Sequence, residues 1–80
     1  MTPLRYYLID NGTVRSVVDG NSGEIVDDEI VALLAGETGA DRAARMSRQD
    51  QRCAALNRED YDLRRQFGGL FAAFAARTGQ

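Results

Sequence analysis

The residues of this chain that could carry chemistry are few, because the sequence of 80 residues contains no histidine and one cysteine, Cys53. Without histidine the chain lacks the commonest general base near neutral pH and the commonest metal ligand. A single cysteine cannot form an internal disulfide or a zinc site of the usual type. We therefore predict that the protein is not an enzyme and has no catalytic residues, no cofactor and no metal site.

The segment from Asp19 to Glu24 has the composition of a calcium-binding loop, but its spacing does not fit one. In the EF-hand pattern the fifth position would be Gly23 and the twelfth Ile30, and neither side chain can ligate calcium. This segment is therefore predicted to be a hairpin turn.

Arginine supplies all ten basic residues, and three arginines recur at helical spacing. Arg45, Arg48 and Arg52 are three and four residues apart, so a helix would place them on one face. Such a face could bind nucleic-acid phosphates or the carboxylates of an acidic partner, or it could simply face solvent. The acidic pI of 4.9 favours a protein partner over nucleic acid.

Acidic residues concentrate in the first half of the chain. Residues 1–41 hold two arginines and eight acidic residues, a net charge of −6, whereas residues 42–80 hold eight arginines and four acidic residues, a net charge of +4. Acidic faces on small proteins sometimes imitate nucleic acid, although turns and helix ends also collect carboxylates. Asp27 and Asp28 join the three arginines as candidate partner-binding residues.

The elements that must position these residues begin with a hairpin. The segments 4–9 and 13–18 are rich in strand-forming residues and flank Asn11-Gly12, a strong hairpin signal. With Asn11 and Gly12 as the loop, Ile9 would pair with Val14, and one face would carry Tyr7, Ile9, Val14 and Val18. The other face would carry Tyr6, Leu8 and Val17 with Arg15, so neither face is fully polar. A three-residue loop with a bulge would instead swap the two faces.

A third short strand, Glu24-Ile25-Val26, completes a predicted three-stranded antiparallel meander over about residues 4–26. Asp27, Asp28 and Glu29 are then predicted to cap a short helix ending near Gly36. Thr38 and Asp41 form a capping-box pattern that predicts the start of a second helix.

The C-terminal segment has the most regular apolar pattern of the chain. Leu63, Phe67, Leu70, Phe71 and Phe74 fall on one stripe of a helix. We predict that this stripe packs against the sheet. Residues 38–77 could form two helices with a break near Asn57 or one long helix. Gly68 and Gly69 lie within this pattern and suggest that another element crosses the helix closely.

The sequence therefore predicts a single α+β domain over residues 1–80, with a three-stranded meander, two or three helices and the C-terminal helix on the sheet. We expect a cytoplasmic location, because the N-terminus lacks a signal-peptide pattern and no apolar run is long enough to span a membrane. The two-sided apolar hairpin favours a homodimer or a subunit of a larger complex.

The leading functional hypothesis is a non-enzymatic protein-binding module. Its size and uneven charge are typical of small inhibitors or adaptors that phages and mobile elements encode, of which anti-CRISPR proteins are one example, by analogy only. A nucleic-acid-binding regulator acting through an Arg-rich helix is an alternative hypothesis. A self-assembling structural subunit is another.

Overall fold

A computed structural model of the protein describes residues 4–77, with side chains up to Gly68. Three strands, β1 (Tyr6–Asp10), β2 (Val14–Asp19) and β3 (Ile25–Ile30), precede one helix, α1 (Gly39–Arg77). The strands form an antiparallel sheet in the order β1-β2-β3. The α+β class and the three-stranded meander are confirmed, whereas the prediction of two or three helices is wrong, because the described residues form one long helix that packs on the sheet.

The turn between β1 and β2 lies one residue further along the chain than predicted. The N–H of Asn11 donates to the carbonyl oxygen of Val14 at 3.2 Å, which leaves Gly12 and Thr13 as the two loop residues. Gly12 has a φ of 89°, and a glycine with positive φ at the first loop position is typical of a type II′ hairpin. The Asn11 side-chain oxygen accepts hydrogen bonds from the N–H groups of Thr13 and Val14, at 2.9 and 2.8 Å.

This turn shifts the register of β1 against β2 by two residues, so that Ile9 pairs with Ser16 instead of Val14. Because strand side chains alternate with period two, a shift of two leaves every side chain on its predicted face. The predicted division of the hairpin into two faces is therefore correct although the predicted pairing is not.

The second hairpin connects β2 to β3 through the predicted turn at residues 19–24. The N–H of Asp19 donates to the carbonyl oxygen of Glu24 at 2.9 Å, and Gly23 has a φ of 77°. A register shift between Val17 and Val18 marks a bulge in the pairing of β2 with β3. Within the turn, a Cβ built on Gly20 would lie 2.5 Å from the Tyr7 ring, so this position requires glycine.

The short helix predicted from Asp27 to Gly36 is wrong. Asp27, Asp28 and Glu29 belong to β3, which extends to Ile30. Their carboxylates do not cap a helix, because those of Asp27 and Glu29 meet side chains of α1 across the sheet. After β3 the chain makes a turn in which the N–H of Glu37 donates to the carbonyl oxygen of Leu34 at 2.9 Å.

Helix α1 begins at the predicted capping box. The N–H of Asp41 donates to the Thr38 hydroxyl at 3.1 Å, and the N–H of Thr38 donates to the Asp41 carboxylate at 3.1 Å. These reciprocal bonds satisfy two backbone donors at the point where the helix lacks intrahelical partners. The capping-box prediction is therefore confirmed.

The sheet packs on the first half of α1, and the described residues of the predicted apolar stripe do not pack against it. Leu63 and Phe67 are exposed, which contradicts the prediction for these two residues. The side chains of Leu70, Phe71 and Phe74 lie outside the described ones. Nothing within 4 Å would meet a Cβ on Gly68, so the predicted close crossing is also wrong at this residue.

The apolar interior is small and the molecule is elongated. Among the described side chains, the buried hydrophobic ones are Val17, which is fully buried, and Cys53. The radius of gyration is 17.8 Å, compared with about 12 Å for a compact domain of this length. Polar contacts between sheet and helix must therefore contribute much of the specificity of the packing.

Candidate interaction surfaces

The two faces of the sheet differ in what covers them. We call the side that contacts α1 the inner face and the opposite side the outer face. On β2, Arg15, Val17 and Asp19 point inward, and strand alternation places Ser16 and Val18 outward. Polar residues of α1 cover the inner face.

Arg15 connects the middle of the sheet to the helix. Its guanidinium donates to the carbonyl oxygen of Met46 at 3.2 Å and to the side-chain oxygen of Gln49 at 3.3 Å, and it forms an ion pair with Asp50. The Gln49 amide in turn donates to the Arg15 carbonyl oxygen at 2.8 Å and to the Asp27 carboxylate at 3.2 Å. Gln49 is almost fully buried, so these bonds satisfy its polar groups.

Arg45 forms the most extensive polar contact with the end of β3. Its guanidinium donates to both carboxylate oxygens of Glu37 at 2.8 and 2.7 Å, and to Glu29 at 3.2 Å. It also donates to the carbonyl oxygens of Ile30 and Ala32, at 2.5 and 3.1 Å. Arg45 is only 7% exposed. Its role is to hold the segment after β3 against α1.

The same contacts set the ionisation of Glu37. Hydrogen bonds from Arg45 and, secondarily, from the backbone N–H of Leu34 lower the pKa of Glu37 to about 2. Because these bonds stabilise the charged carboxylate, Glu37 stays ionised far below its ordinary range.

Arg5 connects the sheet to the helix at the opposite end of the sheet. Arg5 donates two hydrogen bonds to the Asp19 carboxylate, at 3.0 and 2.9 Å, and one to Asp60 of α1 at 3.1 Å. The hydrogen bonds from Arg5 and, to a smaller extent, the hydrogen bond from the N–H of Asn21 lower the pKa of Asp19 to about 2. Arg5 thereby joins the start of β1, the end of β2 and the middle of the helix.

Asn57 covers part of the free edge of β1. Its amide nitrogen donates to the Tyr6 carbonyl oxygen at 3.1 Å, and its amide oxygen accepts the Tyr6 N–H at 2.8 Å. One side chain thereby takes the place of a neighbouring strand at this residue. The thiol of Cys53 lies one turn earlier, and burial raises its pKa, which disfavours the reactive thiolate.

The outer face of the sheet carries mostly apolar side chains, and α1 does not cover it. Ile9 of β1 and Ile30 of β3 are 55% and 51% exposed, and Tyr7 and Ile25 are exposed as well. Leu33 and Leu34, in the segment after β3, are exposed as well, and Leu34 lies beside Val14 and Ile30. The outer face, as named here, comprises Tyr7, Ile9, Val14, Ser16, Val18, Ile25, Asp28 and Ile30.

Asp28 is the charged residue of the outer face. It pairs with Ser16 of β2, and its neighbours along the strand point to the opposite side. A groove of about 420 Å³ runs beside it, with apolar walls from Val14, Ile30 and Leu34 and polar walls from Glu29 and Arg45. An exposed apolar surface with one carboxylate is suited to an apolar partner surface that carries a basic group.

The five candidate residues from the sequence do not form one surface. Arg45 is buried, Arg48 is exposed, and Arg52 is exposed with its guanidinium 3.5 Å from the Asp27 carboxylate. Asp27 therefore belongs to the inner face together with Arg52, whereas Asp28 lies on the outer face. The spacing of the three arginines correctly predicts adjacent helix positions, but it does not reveal that Arg45 points into the molecule.

Sequence reasoning missed half of the outer face. It grouped Tyr7, Ile9, Val14 and Val18 correctly but assigned residues 27–36 to a helix, and so it did not extend the face to Ile30. Positions 27–29 are all acidic, so this segment lacks the alternation of apolar and polar residues that would mark a strand.

Comparison of the chain with protein-family models, with curated proteins and with solved structures finds no match. Within residues 4–77, no helix is both long and apolar enough to cross a membrane. The described side chains contain no group of three or more His, Cys, Asp or Glu residues arranged to hold a metal ion.

Proposed function

We propose that this protein is a non-enzymatic protein-binding module and that the outer face of its sheet is the docking surface. The observation that supports this proposal is the exposed apolar surface of this face, to which Ile9, Ile25 and Ile30 contribute. Exposed contiguous apolar surface on a folded domain is costly in water and commonly marks a site of protein association.

The proposed partner has an apolar surface with an arginine or lysine placed against Asp28. Asp28 is exposed and is the charged residue of the outer face, which favours a basic group on the partner. An inhibitor or adaptor of the kind that phages and mobile elements encode needs a surface that binds its target and needs no catalytic residues. We propose that role for this protein.

Nucleic-acid binding through the arginine helix is the weaker candidate. Of the three arginines at helical spacing, Arg45 is engaged by Glu29 and Glu37 and is not available to phosphates. Arg48 and Arg52 remain on the surface, so a test of the proposal must separate their contribution from that of the outer face.

The test compares three tagged proteins in lysate of the native host, with and without nuclease: wild type, an outer-face variant and an arginine variant. The outer-face variant is Ile9→Thr with Ile30→Thr, which keeps β-branched residues in the strands while removing apolar surface. The arginine variant is Arg48→Glu with Arg52→Glu. Circular dichroism establishes that each variant retains the secondary structure of the wild type.

The captured protein is then purified, and its affinity is measured directly by calorimetry. We expect the outer-face variant to bind at least about tenfold more weakly, because each threonine removes about 1 kcal/mol of apolar burial. The arginine variant should bind within about twofold of the wild type. Asp28→Asn should weaken binding and reduce its dependence on salt.

Two outcomes contradict the proposal. One is equal affinity of the outer-face variant and the wild type for the purified partner. The other is recovery of nucleic acid alone, lost with nuclease and lost in the arginine variant, which would favour the regulator hypothesis.

A further inference from the structure

The two edge strands of the sheet differ in charge. Strand β3 carries the consecutive acidic residues Asp27, Asp28 and Glu29, and charged side chains on an edge strand disfavour pairing with another strand. Strand β1, at the other edge, has the sequence Tyr-Tyr-Leu-Ile-Asp, with a single charge at its end. The edge of β1 is therefore the one where charge hinders strand pairing less.

The hydrogen bonds of the first hairpin show which main-chain groups of β1 point away from the sheet. The Arg5 carbonyl oxygen accepts the Gly20 N–H at 2.7 Å, and the Asn11 N–H donates to the Val14 carbonyl oxygen at 3.2 Å. Because bonding alternates along an antiparallel strand, the odd-numbered residues of β1 turn their main-chain groups toward β2. The even-numbered residues turn theirs toward the free edge.

Tyr6, Leu8 and Asp10 are the residues whose main-chain groups point to this free edge. Asn57 of α1 binds both groups of Tyr6, at 2.8 and 3.1 Å. Within the part of the chain that the structure describes, no comparable partner meets the N–H or carbonyl oxygen of Leu8 or Asp10. Four main-chain groups are thus available for a further strand, and the Asn57 amide marks the end of the available edge.

A groove of about 370 Å³ lies between the free edge of β1 and α1. Leu4, Leu8 and Ala54 contribute apolar walls, and the side chains of Leu4 and Leu8 are 61% and 36% exposed. A strand that adds to a sheet edge gains affinity from main-chain bonds and specificity from pockets for alternate side chains. The groove is placed to receive an apolar side chain of such a strand beside Leu8.

The charges beside this edge favour a basic residue in the added strand. Asp10 is exposed and lies opposite Arg15 of β2, and Arg15 forms an ion pair with Asp50, which also lines the groove. Two carboxylates and one guanidinium leave one negative charge in excess, which attracts a basic side chain. A second copy of the chain would bring the same excess of negative charge to the edge, and like charges disfavour that pairing.

We propose that the free edge of β1 binds an extended segment of the protein partner, which adds to the sheet as a fourth, antiparallel strand. Antiparallel pairing is slightly more stable per residue than parallel pairing. From its N-terminus, the segment has a basic residue opposite Asp10, an apolar residue opposite Ile9 and an apolar residue opposite Leu8. The first and third side chains lie on the inner side of the sheet, and the second extends the outer face beside Ile9. The assignment of the segment to a protein partner rests on the proposed function.

The first test uses the synthetic peptide acetyl-Thr-Arg-Val-Leu-Thr-amide, whose central three residues have the proposed order. The peptide is titrated into the full chain, labelled with ¹⁵N, and binding is followed by NMR. We expect saturable binding with a Kd below about 1 mM and slower hydrogen exchange at the N–H groups of Leu8 and Asp10 in the complex. Absence of saturable binding at concentrations several times higher would overturn strand addition.

Two N-methylated peptides provide a matched control for the main-chain bonds. In the proposed register the N–H of the peptide leucine donates to the Leu8 carbonyl oxygen, whereas the N–H of the peptide valine points away from β1. Methylation of the leucine nitrogen should weaken binding at least about tenfold. Methylation of the valine nitrogen adds the same group on the far side and should change the affinity by no more than about twofold. Equal loss from both methylations would contradict the proposed strand.

The basic residue is tested with Asp10→Asn. This variant keeps the side-chain oxygen that accepts the Gly12 N–H at 2.8 Å and removes the charge. It should bind the peptide several-fold more weakly than the wild type, but it should bind a peptide with glutamine in place of arginine as the wild type does. Asp28→Asn, on the outer face, should leave both affinities unchanged. An Asp10→Asn variant that binds the arginine peptide as tightly as the wild type would overturn the pairing of the basic residue with Asp10.

A second copy on the edge of β1 would give a different result. Sedimentation equilibrium of the free protein, with hydrogen exchange measured at the same concentration, tests for it. We expect the Leu8 and Asp10 N–H groups to exchange rapidly in the free protein. A dimer in which both groups are already protected would place a second copy on this edge and overturn the proposal.

Failure of strand addition and failure of the proposed function are distinguishable. If the peptide does not bind but the outer-face variant loses the captured partner, strand addition is overturned and the outer face remains the docking surface. If the peptide binds but the outer-face variant retains the captured partner, the docking face is overturned and the strand-binding edge remains. A captured partner that binds Asp10→Asn as tightly as the wild type would overturn the assignment of the segment to that partner.

Discussion

At the scale of single residues, arginine has an internal role in this protein. Arg5, Arg15 and Arg45 each join the sheet to the helix through several hydrogen bonds. The planar guanidinium can bind a carboxylate with two parallel bonds and still donate to backbone carbonyl groups. Lysine, with one charged nitrogen, could not make the contacts that Arg45 makes with Glu37, Glu29, Ile30 and Ala32.

Asn57 gives a prediction at the same scale. Asn57→Ala removes both hydrogen bonds to the Tyr6 backbone, so it should lower the free energy of unfolding by about 1–2 kcal/mol. The neighbouring exposed Arg58→Ala serves as the control and should change it by less than about 0.5 kcal/mol. Urea denaturation measures both, and equal effects of the two substitutions would contradict this role of Asn57.

At the scale of elements, the sheet is positioned by its polar inner face and exposes its more apolar outer face. The register of β3 on β2 produces this arrangement, because it places Asp27 and Glu29 beside Gln49 and Arg45. Both carboxylates are partly buried, which favours pairing with a polar or charged partner, and the partners that they contact lie on α1. The outer face, which needs no such partners, is left uncovered.

The capping box gives a prediction for the helix. Thr38→Ala removes the acceptor of the Asp41 N–H, so it should destabilise the protein by about 1 kcal/mol. Thr38→Ser keeps a hydroxyl at the same position and should be close to the wild type. Thermal unfolding followed by circular dichroism measures both variants. A serine variant as unstable as the alanine variant would show that the cap contributes little.

At the scale of the whole molecule, the acidic first half of the chain and the basic second half attract each other. Carboxylates of the acidic half, at Glu29, Glu37 and Asp27, meet arginines of the basic half at Arg45 and Arg52. These ion pairs contribute to the packing of the sheet on the helix.

This arrangement predicts loss of stability in acid. The pKa values of Asp19 and Glu37 are lowered to about 2 in the folded protein, below ordinary values of about 4. Because the folded state binds fewer protons, the stabilisation is present above the ordinary pKa and is lost as the pH falls from about 4.5 to about 2. Thermal unfolding measured between pH 2 and pH 7 should show this decrease.

Two variants test whether Glu37 contributes to this loss of stability in acid. Glu37→Gln should lower the melting temperature at pH 7 and flatten the decrease in acid, because its titrating group is gone. Glu24→Gln changes an exposed turn carboxylate and should leave the pH profile unchanged. A steep acid transition that persists undiminished in Glu37→Gln would contradict the role of Glu37.

Local sequence determined the parts of this fold that depend on neighbouring residues. Asn11-Gly12 predicts the hairpin, Thr38 and Asp41 predict the start of α1, and strand alternation groups Tyr7 with Ile9. Each of these features rests on hydrogen bonds or side-chain periodicity within a few residues, so the local sequence contains the relevant information.

Tertiary structure decided which face of the sheet is covered and which arginines are internal. Both faces of the hairpin contain apolar residues, and Arg45, Arg48 and Arg52 are equivalent by spacing alone. The carboxylates that bind Arg45 come from positions 8 and 16 residues away, and the amide that covers β1 comes from 51 residues away. Such partners are set only when sheet and helix pack, and so no local pattern specifies them.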